Sequence, residues 1–247
     1  MSTVLALEST HYHNFSVRTA TDVVALKFPA DTHSETLASI QTGNFLSSPG
    51  SDISSKLSNY YSWHWQRCET LGAFDLPHNA RILDLGSGLG IVDLVAAKLL
   101  PEARFWLVDQ NAMTYDPEHL VRHGQEHPYY NSWTVVEDLI ASNQLSRQQF
   151  VLQPIDSAWP QDLDLLLSTW CWCWHIPFEI YWQNALASLR VGGKLCLDIR
   201  AQHLDQVVPV INEVLGPVSK LSAYQGFVGS IDESLPITGY RCLWQRQ

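Results

Sequence analysis

The chain has 247 residues, 46% of them apolar, and its 15 Lys and Arg stand against 25 Asp and Glu for a net charge of −10. That length suffices for one sizeable domain or a core with an extension, and the apolar share excludes wholesale disorder. Scattered basic residues on an acidic chain argue against a face that neutralises phosphates, so neither nucleic acid nor an anionic membrane is an expected partner.

The amino terminus, MSTVLALESTHYH, lacks a basic segment and a long apolar run, and no stretch approaches a membrane span, so a cytoplasmic location is expected. Cys68, Cys171, Cys173, Cys196 and Cys242 are odd in number and follow no framework spacing, which reads as reduced thiols. Residues 1 to about 50 are polar, with turn signals at Pro29, Gly43 and Ser48-Pro49-Gly50, and their structure is open. Ser51 or Asp52 can cap a helix whose face carries Ile53, Leu57, Tyr60, Tyr61, His64, Cys68 and Leu71, ending at Gly72 to Pro77.

Strands and helices then alternate. Arg81 to Leu85 reads as a strand, Gly86 to Gly90 as a glycine-rich turn, and Ile91, Leu94, Val95 and Leu99 as a helix face closed by Pro101. A second strand covers Phe105 to Val108, Asp116-Pro117-Glu118 is a helix start, and a helix runs from Ser132 to Asn143. Strands follow at 150–153 and 163–168, a helix from Pro177 to Leu189 stopped by Gly192-Gly193, a strand from Lys194 to Ile199 and a helix from His203 to Leu215. Two β segments, 220–228 and 238–245, come last. Such alternation predicts a mostly parallel, doubly wound sheet that binds ligands beyond the carboxyl ends of its strands.

Ile82-Leu-Asp84-Leu-Gly86-Ser-Gly88-Leu-Gly90 is the most informative segment. Its glycines let the backbone turn sharply and approach a ligand, and the following helix offers free N–H groups. Asp109, after the second strand, stands where an acid accepts ribose hydroxyls. A glycine turn of this kind can also be purely structural. A dinucleotide site prefers G-x-G-x-x-G, whereas here the pattern is G-x-G-x-G with an acid two residues before it.

That pattern resembles the first motif of class I S-adenosylmethionine methyltransferases, D/E-x-G-x-G-x-G. Asp164 to Trp170 resembles their fourth-strand motif, and Leu189-Arg-Val-Gly192-Gly193-Lys-Leu resembles their L-K-P-G-G-x-L signature, with Val191 in place of proline. The resemblance covers residues 80–200. It implies an α/β Rossmann-like fold with a mostly parallel seven-stranded sheet, an antiparallel C-terminal strand, helices on both faces and an N-terminal helical extension. It also implies an extension or lid over 1–78 and an S-adenosylmethionine-binding core over 79–247. On it, Asp84, Gly86, Ser87, Gly88 and Gly90 would hold the methionine end of the cofactor, Asp109 and Gln110 the ribose side, Asp156 the adenine amino group, with Ser168 nearby. Tyr130-Asn131-Ser132 and Ser168-x-Trp170-x-x-x-x-His175-x-Pro177 are similar to a bacterial sugar O-methyltransferase group.

Methyl transfer to a hydroxyl needs alignment and a base. His175, just past the fourth strand, is the candidate base; alternatively it caps the next helix. Trp170, Trp172 and Trp174 alternate through this loop, with Trp182 beyond, and one or two of them are expected to touch ligand. Tyr61 and Trp63, in the aromatic run Tyr60 to Trp65, are candidate acceptor contacts in a lid; the same run can simply pack on the sheet. Asp198 and Arg200 read as an ion pair. Ser168-Thr169 stand where metal-assisted O-methyltransferases place an acid, so no metal is expected. His119, His123 and His127 repeat at helical spacing and read as a solvated face. The resulting expectation is methyl transfer to a hydroxyl of a small molecule, with a sugar as the acceptor the resemblance implies. An N-methyltransferase, a nicotinamide oxidoreductase and a non-catalytic cofactor-binding module remain open beside it, and the oligomeric state is open too.

Overall fold

In a computed structural model of the protein, the described residues are 11–42, 52–111, 131–174, 176–225 and 237–247. The expected helix start at Asp116, the histidines 119, 123 and 127, and His175 lie outside them.

The extension opens with a hairpin. β1 (Tyr12–Arg18) pairs antiparallel with β2 (Val23–Pro29). Alternation buries Phe15 and Val17 from one strand and Val24, Leu26 and Phe28 from the other. The Thr19 hydroxyl closes the turn by accepting the Asp22 amide at 2.8 Å. The extension then turns helical with α1 (Thr32–Thr42), as expected. α2 (Ile53–Leu71) starts where Asp52 accepts the Ser55 amide at 2.7 Å. It ends at left-handed Gly72, with the Gly72 and Ala73 amides returning to Glu69 and Cys68.

The main sheet holds β3 (Arg81–Leu85), β4 (Arg104–Asp109), β5 (Phe150–Pro154), β6 (Leu163–Ser168), β7 (Leu189–Arg200), β8 (Lys220–Gln225) and β9 (Ile237–Gln245). Their order is β5-β4-β3-β6-β7-β9-β8. All pair in parallel except β9, which runs antiparallel to both β7 and β8. This is the expected Rossmann-like sheet with its antiparallel C-terminal strand. The crossover helices are α3 (Ile91–Leu99), α4 (Trp133–Ser142), α5 (Trp182–Ser188) and α6 (Leu204–Leu215).

Two segments depart from the expected boundaries. The helix from Pro177 is a short turn over Phe178–Ile180 followed by α5, because Leu189 already pairs with Leu163 in the sheet. Gly192-Gly193 does not stop a helix but kinks β7. A side chain at Gly193 would meet the Leu163 carbonyl oxygen at 2.5 Å, so the two backbones touch there.

Period two sorts the strand residues into two cores. Ile82, Phe105, Leu107, Leu165 and Cys196 face one side, packed with the hairpin, α2 and α3. Leu83, Trp106, Leu166, Leu195 and Trp244 face the other, with α5 and α6. The same parity puts Asp84 of β3, Asp198 of β7 and Arg241 of β9 on the α2 side. Successive crossovers place β4 and β6 on opposite sides of β3, so the strand order reverses between β3 and β6, and a crevice opens at their carboxyl ends.

Candidate functional site

The crevice is a cleft of about 100 Å³ among the described residues. Its floor is Asp84 with Gly86, Ser87 and Gly88; α3 supplies Ile91 and Val92, α2 supplies Tyr60, Tyr61 and His64, and Thr169 and Trp170 close the side.

The glycine loop is held by geometry only glycine adopts easily. Gly86, Gly88 and Gly90 have φ of 77°, 54° and 64°. The Gly86 amide donates to the Val108 carbonyl at 2.7 Å, and the Gly90 amide donates to the Ser87 carbonyl at 2.9 Å. A side chain at Gly86 would strike Cys171, and one at Gly90 would meet Leu107 at 2.8 Å. Burial pushes the Cys171 thiol well up, so that sulfur is a packing group.

Three acids stand near this loop. Asp109, expected to hold the ribose, accepts the Gly88 amide at 2.7 Å and the Gln110 amide at 2.6 Å, so its carboxylate also grips the glycine loop. Burial pushes it up to about 6, against those two hydrogen bonds. Asp84 is 3% exposed and hydrogen-bonds Asp93 of α3, which is 1% exposed. Burial, then the Asp93 charge, holds Asp84 well above the carboxylate range; burial brings Asp93 up to about 7. One oxygen of each, Asp84 Oδ1 and Asp93 Oδ2, has no hydrogen-bond partner, and neither has the Ser87 hydroxyl. Buried polar groups are nearly always paired, so three orphans in one place call for a ligand.

The loop after β6 carries its own strain. Trp170 and Cys173 are left-handed, at φ 54° and 65°. This turn brings Trp170 against His64 at 4.6 Å and Trp63 at 5.6 Å between ring centroids, with its indole N–H donating to the Tyr224 hydroxyl at 3.1 Å. Ser168, expected beside the cofactor, is instead consumed in holding the loop. Its hydroxyl donates to the Leu85 carbonyl at 2.7 Å and accepts the Trp172 amide at 3.1 Å. Trp172, expected against substrate, is fully buried on the opposite side of the sheet. Its ring stacks on Phe178 at 5.6 Å and its N–H donates to the Phe178 carbonyl. Trp174 stacks on Tyr224 at 5.9 Å behind Trp170, and Trp182 joins the α5 core. Tyr61 lines the cleft, whereas Trp63 stands behind His64 with the Arg67 guanidinium 4.3 Å over its ring. Asp156 sits on the exposed turn after β5, and half-buried Gln110 follows Asp109.

The ion pair expected between Asp198 and Arg200 forms with Arg241 instead. Arg241 lies directly across the ladder from Asp198, nearer than a residue two places along the same strand. Its Nε and Nη2 donate to the two Asp198 oxygens at 2.7 Å each, with both side chains fully buried. The guanidinium also donates to the His64 carbonyl at 2.9 Å, to the Cys68 sulfur at 3.3 Å and to His64 Nδ1 at 3.2 Å, bolting α2 to the sheet. Sequence reasoning missed Arg241, Asp93 and Asn131. The last, quoted above only within Tyr130-Asn131-Ser132 and given no role, is buried with both amide atoms unpartnered just before α4.

No family model matches the sequence, and no curated protein matches it either. Solved structures of methyltransferases are similar to it. A precorrin-6y C5,15-methyltransferase from Geobacter metallireducens is 15% identical, over 73% of this chain and 88% of that one, with a TM-score of 0.45. A tRNA (m1A58) methyltransferase from Aquifex aeolicus is 11% identical over 94% and 89%, with a TM-score of 0.49. A predicted O-methyltransferase from Agrobacterium tumefaciens is 14% identical over 71% and 79%, with a TM-score of 0.42. At such scores the order and direction of the strands, rather than these likenesses, carry the Rossmann-like fold. Among the described residues, no helix is long and apolar enough to cross a membrane.

Proposed function

We propose that this protein transfers a methyl group from S-adenosylmethionine to a hydroxyl of a small molecule, with a sugar as the acceptor class the motif resemblance favours. The observation that carries the reading is the pair of orphaned, buried carboxyl oxygens beneath a left-handed glycine loop at the sheet's switch point. The bare Asp84 oxygen can accept a hydrogen bond from an α-ammonium group, whereas the phosphates of a nicotinamide dinucleotide have no donor to give it.

The residues present fit that cofactor. Asp84 and Ser87 would hold the amino-acid end, Asp109 and Gln110 the ribose, and Asp156 the adenine, with the glycine amides as further donors. Tyr60, Tyr61 and Trp170 offer ring faces that attract a sulfonium and keep water out. When bound, the sulfonium supplies a methyl group already activated for in-line displacement. The protein's share is then alignment and proton removal. Here His175 serves as the base for the acceptor hydroxyl, on a loop that Ser168 and the strained Trp170 fix in place. α2 and the hairpin act as the cover of the acceptor space, in a cytoplasmic protein that needs no metal.

Calorimetric titration tests the reading. S-adenosylhomocysteine should bind and NAD(H) should not, and labelled methyl should then pass to members of a sugar and small-alcohol panel. No affinity for the donor or its demethylated product overturns it; transfer to amines alone replaces the hydroxyl acceptor.

A further inference from the structure

Resting on that reading, we propose that His64 is a positioning residue of the cleft, a neutral imidazole whose Nε2–H donates to the carboxylate of the ligand's amino-acid end.

The argument begins with Arg241. A guanidinium donates and never accepts. Its contact with His64 Nδ1 at 3.2 Å therefore makes Nδ1 the acceptor, and the single proton of the neutral ring must sit on Nε2. Burial, then Arg241 and Arg67, holds His64 well below its ordinary value, so the ring stays neutral. Asp198 keeps Arg241 charged and oriented, so the tautomer is fixed from β7 through β9 to α2. Nε2 lies across the ring from Arg241. The side chain is 3% exposed, the ring lines the cleft, and Nε2 has no partner. A buried donor left open is costly, and a ligand oxygen offsets that cost.

The cleft is therefore two-signed. Asp84 presents an unpartnered carboxyl oxygen, with Asp93 behind it, while His64 presents an unpartnered N–H backed by the positive charges of Arg241 and Arg67. An α-amino-acid group, ammonium and carboxylate on one carbon, matches both, and a cleft of about 100 Å³ accommodates it. Because Nε2 already holds its proton and Nδ1 is occupied, His64 binds rather than abstracts.

Two substitutions separate the nitrogens. In His64→Asn the side-chain oxygen can replace Nδ1 for Arg241, and the donor at Nε2 is lost; in His64→Gln an amide N–H reaches the Nε2 position. Calorimetry with S-adenosylhomocysteine and with 5′-methylthioadenosine, which lacks the amino-acid end, reads the effect. The expected result is a loss of about tenfold for S-adenosylhomocysteine in H64N. Affinity for 5′-methylthioadenosine should not change, and H64Q should stay near the parent value. Nitrogen-edited NMR of the unmodified protein at pH 7 should show Nε2 protonated and Nδ1 bare. An unchanged S-adenosylhomocysteine affinity in H64N, equal losses for both ligands, a loss of acceptor turnover alone, or the opposite tautomer overturns the inference while the methyltransferase reading stands. A parent protein that binds neither ligand overturns both.

Discussion

Two buried acidic centres lie on the same side of the sheet and are finished differently. Asp198 has a guanidinium gripping both its oxygens, which in turn holds three groups of α2. Asp84 has only another acid beside it and an oxygen left bare. One centre is complete in the folded chain; the other is complete only when something positive arrives. The difference teaches where the fold spends its charge on stability and where it withholds it for binding.

The contrast breaks most visibly at Arg241. Arg241→Ala strands a buried carboxylate and should cost about 3–5 kcal/mol, read as a drop in melting temperature of roughly 10 °C. Asp84→Asn should do the opposite to stability, holding or raising the melting temperature because it removes a buried acid that has no counter-charge. It should lower affinity for S-adenosylhomocysteine about 10–100-fold by calorimetry. Equal destabilisation in the two variants would erase the distinction.

Gly86→Ala sharpens it from the backbone side. The added methyl meets Cys171 at a left-handed position, so the loop must shift, at about 1–3 kcal/mol in denaturant unfolding and a measurable loss of ligand affinity. The gentlest test is pH. Asp93 is held up to about 7 and Asp109 up to about 6, mainly by burial, against an ordinary 3.8. Between pH 4 and 7 the folded chain thus binds more protons than the unfolded one. The stability this contributes is full below about pH 4 and is lost as pH climbs through 6 and 7. The ligand-free melting temperature should fall by a few degrees over that window, and Asp93→Asn should flatten its upper end.

Much of this was legible in the sequence, for physical reasons. Asp84 and the glycines at 86, 88 and 90 announce a strand-to-helix turn, because few other residues accept such angles. Asp52 and Gly72 mark the ends of α2 through capping, a local interaction. What stayed hidden depends on partners far apart in the chain. Asp198 finds Arg241 rather than Arg200 only because β9 inserts antiparallel beside β7. His64 looked like one more residue of an aromatic helix face, since its tautomer is set from a strand 177 positions away. The alternation of tryptophans through 170–174, with Trp182 beyond, implied that one or two touch ligand without saying which. The left-handed turns at 170 and 173 instead divide them, one towards the cleft and one into the opposite core. The hairpin's second strand stayed open because Val23 and Ala25 stand between Val24, Leu26 and Phe28, so its period-two alternation is blurred by apolar neighbours.

That hairpin has a practical consequence. Phe15, Val17, Leu26 and Phe28 share one packed interior with Leu57, Trp65, Phe105 and Leu107, and each such side chain contributes about 1.5–3 kcal/mol by leaving water. A version trimmed to start near position 79 would leave the ribosome with a raw greasy wall where that interior had been. It should gather into clumps during expression, so anyone producing the protein for crystals or assays does best to keep the chain from Tyr12 onward.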